Sequence, residues 1–421
     1  MNSFDMARTD LRAIFESALQ AVNGRRCTAA FLSVHPPDRP VFLVATGKAA
    51  ADMACGAAKS LGDRLSRALV VTKTGHMDSR LVDDNRFTCL EAAHPLPDHR
   101  SLAAGDALIH FLEGVPNDAE LLFLVSGGTS SLVEVLPAGV TLATLQKVNH
   151  WLLGSGLPIG EINRIRQALS CIKGGRLANL LSGCSTRVLM ISDVAGDDPA
   201  IIGSGMLCWS EAAPLVTAGL PDWLHDLISR HGVSRERAAG SGLISHFIIA
   251  RLDDALEAAA AHARSLGYPA CIIPARFDSD AVATGRAIVD YLADKSPGVY
   301  LWGGESTVRL PAQPGRGGRC QSLALAAATA MRRQERLVVL AAGTDGTDGP
   351  GGAAGAMVDP ETVARGHAHG LEACYCLDAA DAGRFLEASG DLIVTGPTGT
   401  NVTDLVIALK GDRTQAIDTR C

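Results

Sequence analysis

The stretch Val41-Phe42-Leu43-Val44-Ala45-Thr46-Gly47-Lys48-Ala49-Ala50 decides the class of fold. Its apolar run Val41–Ala45 lies between a proline and a glycine and reads as a buried strand. The alanine-rich residues 48–61 that follow read as a helix. A strand that passes through a glycine straight into a helix opens a crossover unit, and such units pair strands in parallel.

The same alternation continues on both sides. A helix is predicted over about 9–22. Further strands are predicted at 68–72, 87–91, 121–125 and 187–192, with helices at 99–113, 141–154 and 160–181. The stretch 203–242 contains Pro214, Gly219, Pro221, Gly232, Gly240 and Gly242, and a domain boundary is placed near 235–245. Beyond it come a helix (250–266), a strand (270–274), a helix (280–294), a helix (319–333), a strand (337–341) and a last strand (404–409). Val299–Trp302 and Thr307–Leu310 read as two strands in close succession, which implies antiparallel pairing and a mixed sheet. The expectation is therefore α/β with two domains. Residues 1–240 form a Rossmann-like, mostly parallel unit, and 241–421 a smaller mixed-sheet unit.

Composition narrows the class of function. At 421 residues the chain is long enough for two to three cores. Lys and Arg number 38 against 45 Asp and Glu, a net charge of −7, and aromatics make up 4%, which argues against a nucleic-acid binder. The 44 glycines follow no repeat, so neither collagen nor a low-complexity linker is indicated. The 11 cysteines are scattered and read as reduced thiols. Residues 1–20 carry Asp5, Arg8, Asp10, Arg12 and Glu16 rather than the apolar core of a signal peptide. No run approaches the length of a membrane span. A cytoplasmic enzyme without nucleic-acid or membrane partners is the expectation.

The informative glycines follow strands, where parallel sheets bind ligands. Gly47-Lys48 sets an ammonium beside free backbone N–H groups at a helix start, a combination that attracts anions. Ser126-Gly127-Gly128-Thr129-Ser130-Ser131 can converge N–H and hydroxyl donors on a phosphate or carboxylate. Asp193, Asp197 and Asp198 cluster just past a strand and suit Mg²⁺ or another divalent cation. A fourth loop, 343–355, holds Asp345 and Asp348 among six glycines. There is no P-loop motif. Gly349–Ala354 fits the G-x-G-x-x-A pattern, but it starts late after its strand and contains Pro350. Asn163, Arg166, Ser170 and Lys173 would share one face of the 160–181 helix. Gly174-Gly175 inside that helix would signal close approach to a ligand or neighbour.

These loops together resemble the type-2 glycerate 2-kinases, whose C-terminal half is the MOFRL domain. The markers are A-T-G-K-A-A (45–50), A-H-P-L-P-D (93–98), S-G-G-T-S-S-L (126–132), N-R-I-R-Q-A-L-S-C-I-K-G-G-R-L-A (163–178), S-D-V-A-G-D-D (192–198), G-G-E-S-T-V (303–308), G-R-G-G-R-C-Q (315–321), the 343–356 loop and G-P-T-G-T-N-V-T-D-L (396–405). The resemblance implies ATP-dependent phosphorylation of D-glycerate at its 2-hydroxyl, with a divalent metal, in a cleft between two domains.

It implies that Lys48 and Arg319 contact the phosphoryl group as catalytic residues, joined by Asp193. Gly47, Ser126, Gly127, Gly128, Arg166, Lys173, Gly174, Arg176 and Asn401 are then expected to bind substrate or phosphate. Gly304, Glu305, Gly317, Gly318, Asp345 and Asp348 are expected at the nucleotide, and Asp193 and Asp197 at the metal. Alanine at Lys48 or Arg319 is expected to abolish turnover with the fold intact. The sequence departs from the family at Cys320 and Ser322, where G-G-R-N-Q-E is usual. Alternatives are a hydroxypyruvate reductase, a kinase for a related hydroxy acid and a sugar-acid sensor. A monomer or homodimer is expected.

Overall fold

The computed structural model describes residues 4–157, 159–181, 183–209, 215, 219–234 and 243–411. The chain divides into two compact units. One comprises Asn23–Arg251 with Gly399–Asn401, and the other Met1–Val22, Leu252–Thr398 and Val402–Cys421.

The first unit is built on six strands: β1 (Val41–Thr46), β2 (Leu65–Lys73), β3 (Phe87–Ala92), β4 (Glu120–Val125), β5 (Ser185–Ile191) and β6 (Ile244–Ala250). Their order is β3-β2-β1-β4-β5-β6 and every pairing is parallel. The chain leaves β1 in one direction to build β2 and β3 and returns to its other side for β4. The order reverses between β1 and β4, which opens a crevice at their carboxyl ends. Thr46 is in register with Val125, so the two loops leave the sheet at one level. Val44, Leu121, Phe123, Val188 and Met190 pack in one core cluster with Ala104 and Leu108 of the helix His99–Glu113. Asp98 starts that helix with a capping box, accepting from Ser101 N while Ser101 Oγ accepts from Asp98 N.

The second unit holds β7 (Ala270–Ile272), β8 (Gly298–Gly304), β9 (Leu337–Gly343), β10 (Gly355–Val358), β11 (Leu392–Ile393) and β12 (Asp404–Lys410). They run in the order β11-β10-β9-β12-β8-β7. The sheet is mixed as expected, but for another reason. β12 inserts antiparallel between β8 and β9, whereas Thr307 makes only an isolated bridge to Asp280. No strand forms at 307–310. The helix Arg319–Ala330 is buried from Cys320 to Ala328, which explains its apolar, alanine-rich sequence. The helix Ala281–Leu292 crosses it closely, since a Cβ on Gly285 would lie 2.2 Å from Leu323 O.

Several expectations need correction. The helix foreseen over 160–181 ends at Ala168, and Gly174 and Gly175 take left-handed φ values of 64° and 87°. Their N–H groups donate to Ser204 O and Gly205 O at 3.0 and 2.6 Å, so the close approach is to a neighbouring segment. The helix Gly24–Val34 and strands β6 and β10 were not foreseen. The stretch 203–242 contains the helix Asp222–His231, while Pro214, Gly240, Gly242 and residues 235–242 of the expected boundary lie outside the described residues.

The units also differ from 1–240 and 241–421. β6 closes the first sheet. The helix Asp5–Ala21 belongs with the second unit, where Arg8 reaches Asp359 at 2.6 Å and Asp391 at 2.8 Å, and Tyr268 donates its hydroxyl to Asp10 at 2.7 Å. Every described cysteine is a free thiol. Among the described residues no helix is long and apolar enough to cross a membrane.

Candidate active site

Each unit gathers part of the expected site, and each part has its own chemistry. In the first unit the loops after β1 and β4 lace together. Lys48 N donates to Gly127 O at 2.9 Å, and Ala49 N to Ser126 Oγ at 3.0 Å. Thr46 Oγ1 and Thr129 Oγ1 lie 3.2 Å apart beneath them. Gly47 turns at φ 118° and Gly128 at φ 88°. Gly127 is glycine because of its neighbours. A Cβ there would lie 1.8 Å from Asp193 Oδ2 and 1.9 Å from Asn401 Nδ2. Asn401 donates that nitrogen to Asp193 at 2.8 Å, which fixes the carboxylate over the turn.

The stem of Lys48 and the imidazole of His94 both lie against Gly128. A Cβ on that glycine would lie 3.2 Å from Lys48 Cγ and 3.1 Å from His94 Cδ2. The structure thus brings Gly47, Lys48, Ser126, Gly127, Gly128, Asp193 and Asn401 together at the switch point. His94 is an addition. It stands in the A-H-P-L-P-D marker, but nothing in its spacing links it to the other loops.

A cavity of about 200 Å³ continues from His94 and Gly128 to Ser130, Glu134, Asn149, Arg166 and Lys173. Lys173 is buried in an ion pair with Glu134, so it does not bring a free positive charge. Arg176 sits elsewhere. Its Nε donates to Ser234 O, Nη1 to Gln167 O and Lys173 O, and Nη2 to Val233 O. It staples backbone rather than presenting its fork to a ligand, and Gly174 packs beside Gln167. Asp197 lies 3.6 Å from Arg251 and takes a left-handed φ of 53°. Among the described residues no group of three or more His, Cys, Asp or Glu is arranged to hold a metal. Asp193 remains as a single carboxylate. That fits a Mg²⁺ ion arriving with the nucleotide, which needs only one or two protein carboxylates besides phosphate oxygens.

In the second unit Arg319 opens the buried helix Arg319–Ala330 and is held tightly. Its Nε and Nη2 donate to the two oxygens of Asp404 at 2.6 and 3.0 Å, and Nη1 pairs with Glu305. Three of its five N–H groups are taken, leaving two for a ligand. Burial pulls its pKa down, but the Asp404 charge and hydrogen bonds, with the Glu305 charge, outweigh this and hold it above the ordinary value. Burial raises the pKa of Asp404, and the guanidinium opposes that rise.

Asp348 accepts from Cys320 N at 3.1 Å and from Gln321 N at 2.8 Å. A Cβ on Gly318 would lie 2.2 Å from Asp348 Oδ1. The anion slot that Gly317-Gly318 offers at this helix start is thus filled by the protein's own carboxylate, not left for a nucleotide phosphate. Asp345 accepts from Thr347 N at 2.9 Å and Thr347 Oγ1 at 3.1 Å, within its own turn. Gly304 closes β8, where a Cβ would lie 2.1 Å from Phe277 O. Gly349–Ala354 leads into strand β10 and forms no helix start, so the pattern is not a dinucleotide fingerprint.

Burial, with the Asp404 charge, pushes the Asp348 carboxyl up to about 6. A raised folded pKa means the charged form costs stability. The contribution is fully favourable below the unfolded value near 3.8 and is lost as pH rises through about 6. Two pKa units correspond to roughly 3 kcal/mol. Asp348→Asn cannot titrate. Its unfolding free energy, measured by urea between pH 4 and 7.5, is expected to lack the decline that the wild type shows over that window. Parallel pH profiles would remove the carboxyl from this account.

An open, parallel α/β sheet with laced glycine turns at its switch point defines an α/β enzyme scaffold. Comparison with known proteins sharpens that class. A model described as a domain of unknown function (DUF4147) matches residues 10–215, and the MOFRL family model matches residues 298–404. D-glycerate 2-kinase of Thermotoga maritima is 34% identical, over 94% of this chain and 96% of the relative. A protein of Agrobacterium vitis that carries the name hydroxypyruvate reductase is 36% identical, over 96% of this chain and 95% of its own. The crystal structure of glycerate kinase from Thermotoga maritima matches with a TM-score of 0.82 and 32% identity, over 97% of this chain and 100% of that chain. The chain belongs to the glycerate 2-kinase family with a C-terminal MOFRL domain.

Proposed function

We infer that this chain is a glycerate 2-kinase: it transfers the γ-phosphoryl group of ATP to the 2-hydroxyl of D-glycerate, giving 2-phosphoglycerate and ADP. The observation that carries the reading is the pair of laced turns at the β1/β4 switch point, with Lys48 and the Asp193–Asn401 pair gathered on them. Near full-length similarity to D-glycerate 2-kinase supports it.

Phosphoryl transfer asks the protein for positioning and charge neutralisation rather than covalent chemistry. The acceptor hydroxyl oxygen attacks the γ-phosphorus as the bond to the β–γ bridging oxygen breaks. Asp193, oriented by Asn401, accepts a hydrogen bond from the 2-hydroxyl and receives its proton late. Lys48 neutralises equatorial phosphoryl oxygens. Arg319, in the second unit, keeps two N–H groups with which to meet phosphate oxygens. Because Asp404 and Glu305 more than balance the guanidinium, the nucleotide enters as its divalent-metal complex, Mg-ATP being the ordinary form. We place the enzyme in the cytoplasm, where its thiols stay reduced.

The name carried by the Agrobacterium vitis relative keeps a reductase reading in view. The test is a panel of hydroxy acids with Mg-ATP, read by phosphorus NMR, beside NAD(P)H oxidation with hydroxypyruvate. A 2-phosphate ester from D-glycerate, with no hydride transfer, is expected. Hydride transfer without ADP release would replace the kinase reading.

A further inference from the structure

The cavity that runs from His94 and Gly128 is almost charge-balanced. Glu134 is 1% exposed and Lys173 2%, and they face each other as an ion pair. The carboxylate is further satisfied by Ser170 Oγ at 2.6 Å and Val135 N at 3.1 Å. Arg166 is the exception. Its Nε donates to Asn149 Oδ1 at 3.1 Å, and among the described residues no carboxylate lies within ion-pair distance of it. Asn149 is itself 7% exposed and is anchored by its amide nitrogen to Leu145 O at 3.1 Å. The guanidinium is thus held at Nε by a neutral group and leaves its terminal nitrogens for something else. Burial lowers its pKa, and the Glu134 charge offsets this in part. A desolvated guanidinium facing a small cavity is a site for a carboxylate, whose two oxygens match its fork.

We propose that Arg166 anchors the carboxylate of the acceptor acid in this cavity. The proposal rests on the kinase reading for the identity of the acceptor, and it names the residue that selects it. The cavity of about 200 Å³ has room for a three-carbon acid. Its other end opens at Gly128, where the Lys48 stem lies. An acid held by its carboxylate on Arg166 therefore directs its hydroxyls toward the switch-point turns. Lys173 and Glu134 act as a neutral wall and do not contact the acid.

The experiment uses the full chain and binding as well as turnover. D-glycerate and glyceramide are titrated by calorimetry into wild type, Arg166→Met and Arg166→Lys. The KM for each is then measured with Mg-ATP. Wild type is expected to prefer glycerate to glyceramide by roughly 10- to 150-fold, the value of a charge-assisted contact. Arg166→Met should lose that preference with the KM for ATP unchanged, and Arg166→Lys should recover part of it. The glycerate-to-glyceramide ratio in wild type needs no variant, so a misfolded Arg166→Met does not blunt the test. Equal binding of the acid and the amide by wild type overturns the proposal. If glycerate binds through Arg166 but no phosphate is transferred, the kinase reading fails and the anchor stands.

Discussion

Arg319→Ala is expected to lose turnover and a large part of the stability of the second unit together. The sequence alone suggests a variant that keeps its fold, because an arginine at a phosphate site is ordinarily solvated until ligand arrives. The structure changes that expectation. Arg319 grips Asp404 with two hydrogen bonds of 2.6 and 3.0 Å, and the Asp404 side chain is 2% exposed. Asp348 lies close enough for its charge to be felt at Asp404. Removing the guanidinium leaves Asp404 buried without its cation, and breaking a buried pair on one side costs about 3–5 kcal/mol.

Burial raises the Asp404 pKa, so the orphaned group costs most when charged. The deficit should be larger at pH 8 than at pH 5. Arg319→Ala combined with Asp404→Asn should regain most of the lost stability and none of the activity. Arg319→Lys keeps a charge but cannot make the two-point contact, so it should be intermediate in stability and poor in turnover. Urea unfolding at both pH values and an ADP-release assay give the readouts. An unfolding midpoint for Arg319→Ala equal to wild type would sink the buried-pair account, and turnover within tenfold would sink the catalytic one.

The first sheet was largely legible because its strands are apolar runs followed by glycine turns. β1, β4 and their loops could be placed from 41–50 and 121–131 alone. β6 could not. Ile244–Ala250 is followed almost at once by the helix Leu252–Ser265, and the glycines before it drew the boundary ahead of the strand. β12 was legible as a strand, but not its place between β8 and β9, since partners as distant in sequence as Gly343 and Gly304 are from Asp404 leave no local trace. The 160–181 helix failed for an instructive reason. Its polar spacing obeys the helical period, but Gly174 and Gly175 take left-handed turns to meet the 204–205 backbone.

The candidate site divides in the same way. Lys48, the Ser126–Gly128 turn and Asp193 each follow a strand end, so position alone marked them. The neutralising partners were invisible. Glu134 for Lys173, Asp404 for Arg319 and Arg251 for Asp197 come from distant segments, and each changes what its partner can do. Residue type announces a charge, but only the fold says whether that charge is already balanced.

Lys48→Ala should behave in the opposite manner to Arg319→Ala: a large loss of turnover with little loss of fold. The backbone of residue 48 is fixed by its N–H bond to Gly127 O at 2.9 Å, and alanine keeps that bond. The side chain is partly exposed, so shortening it opens no core cavity. A stability change of about 1 kcal/mol or less is expected, a shift of a few degrees in Tm. The ammonium acts on charge that spreads over the transferring oxygens, so its removal should lower kcat by about 10²–10³-fold. It should lower kcat and kcat/KM in the same proportion, because the contact is strongest in the transition state. Lys48→Met keeps the stem beside Gly128 and removes only the charge. It should match Lys48→Ala in turnover and wild type in Tm. If Lys48→Met retained activity within tenfold, the lysine would be a spacer in the turn and not the group that meets the phosphoryl oxygens.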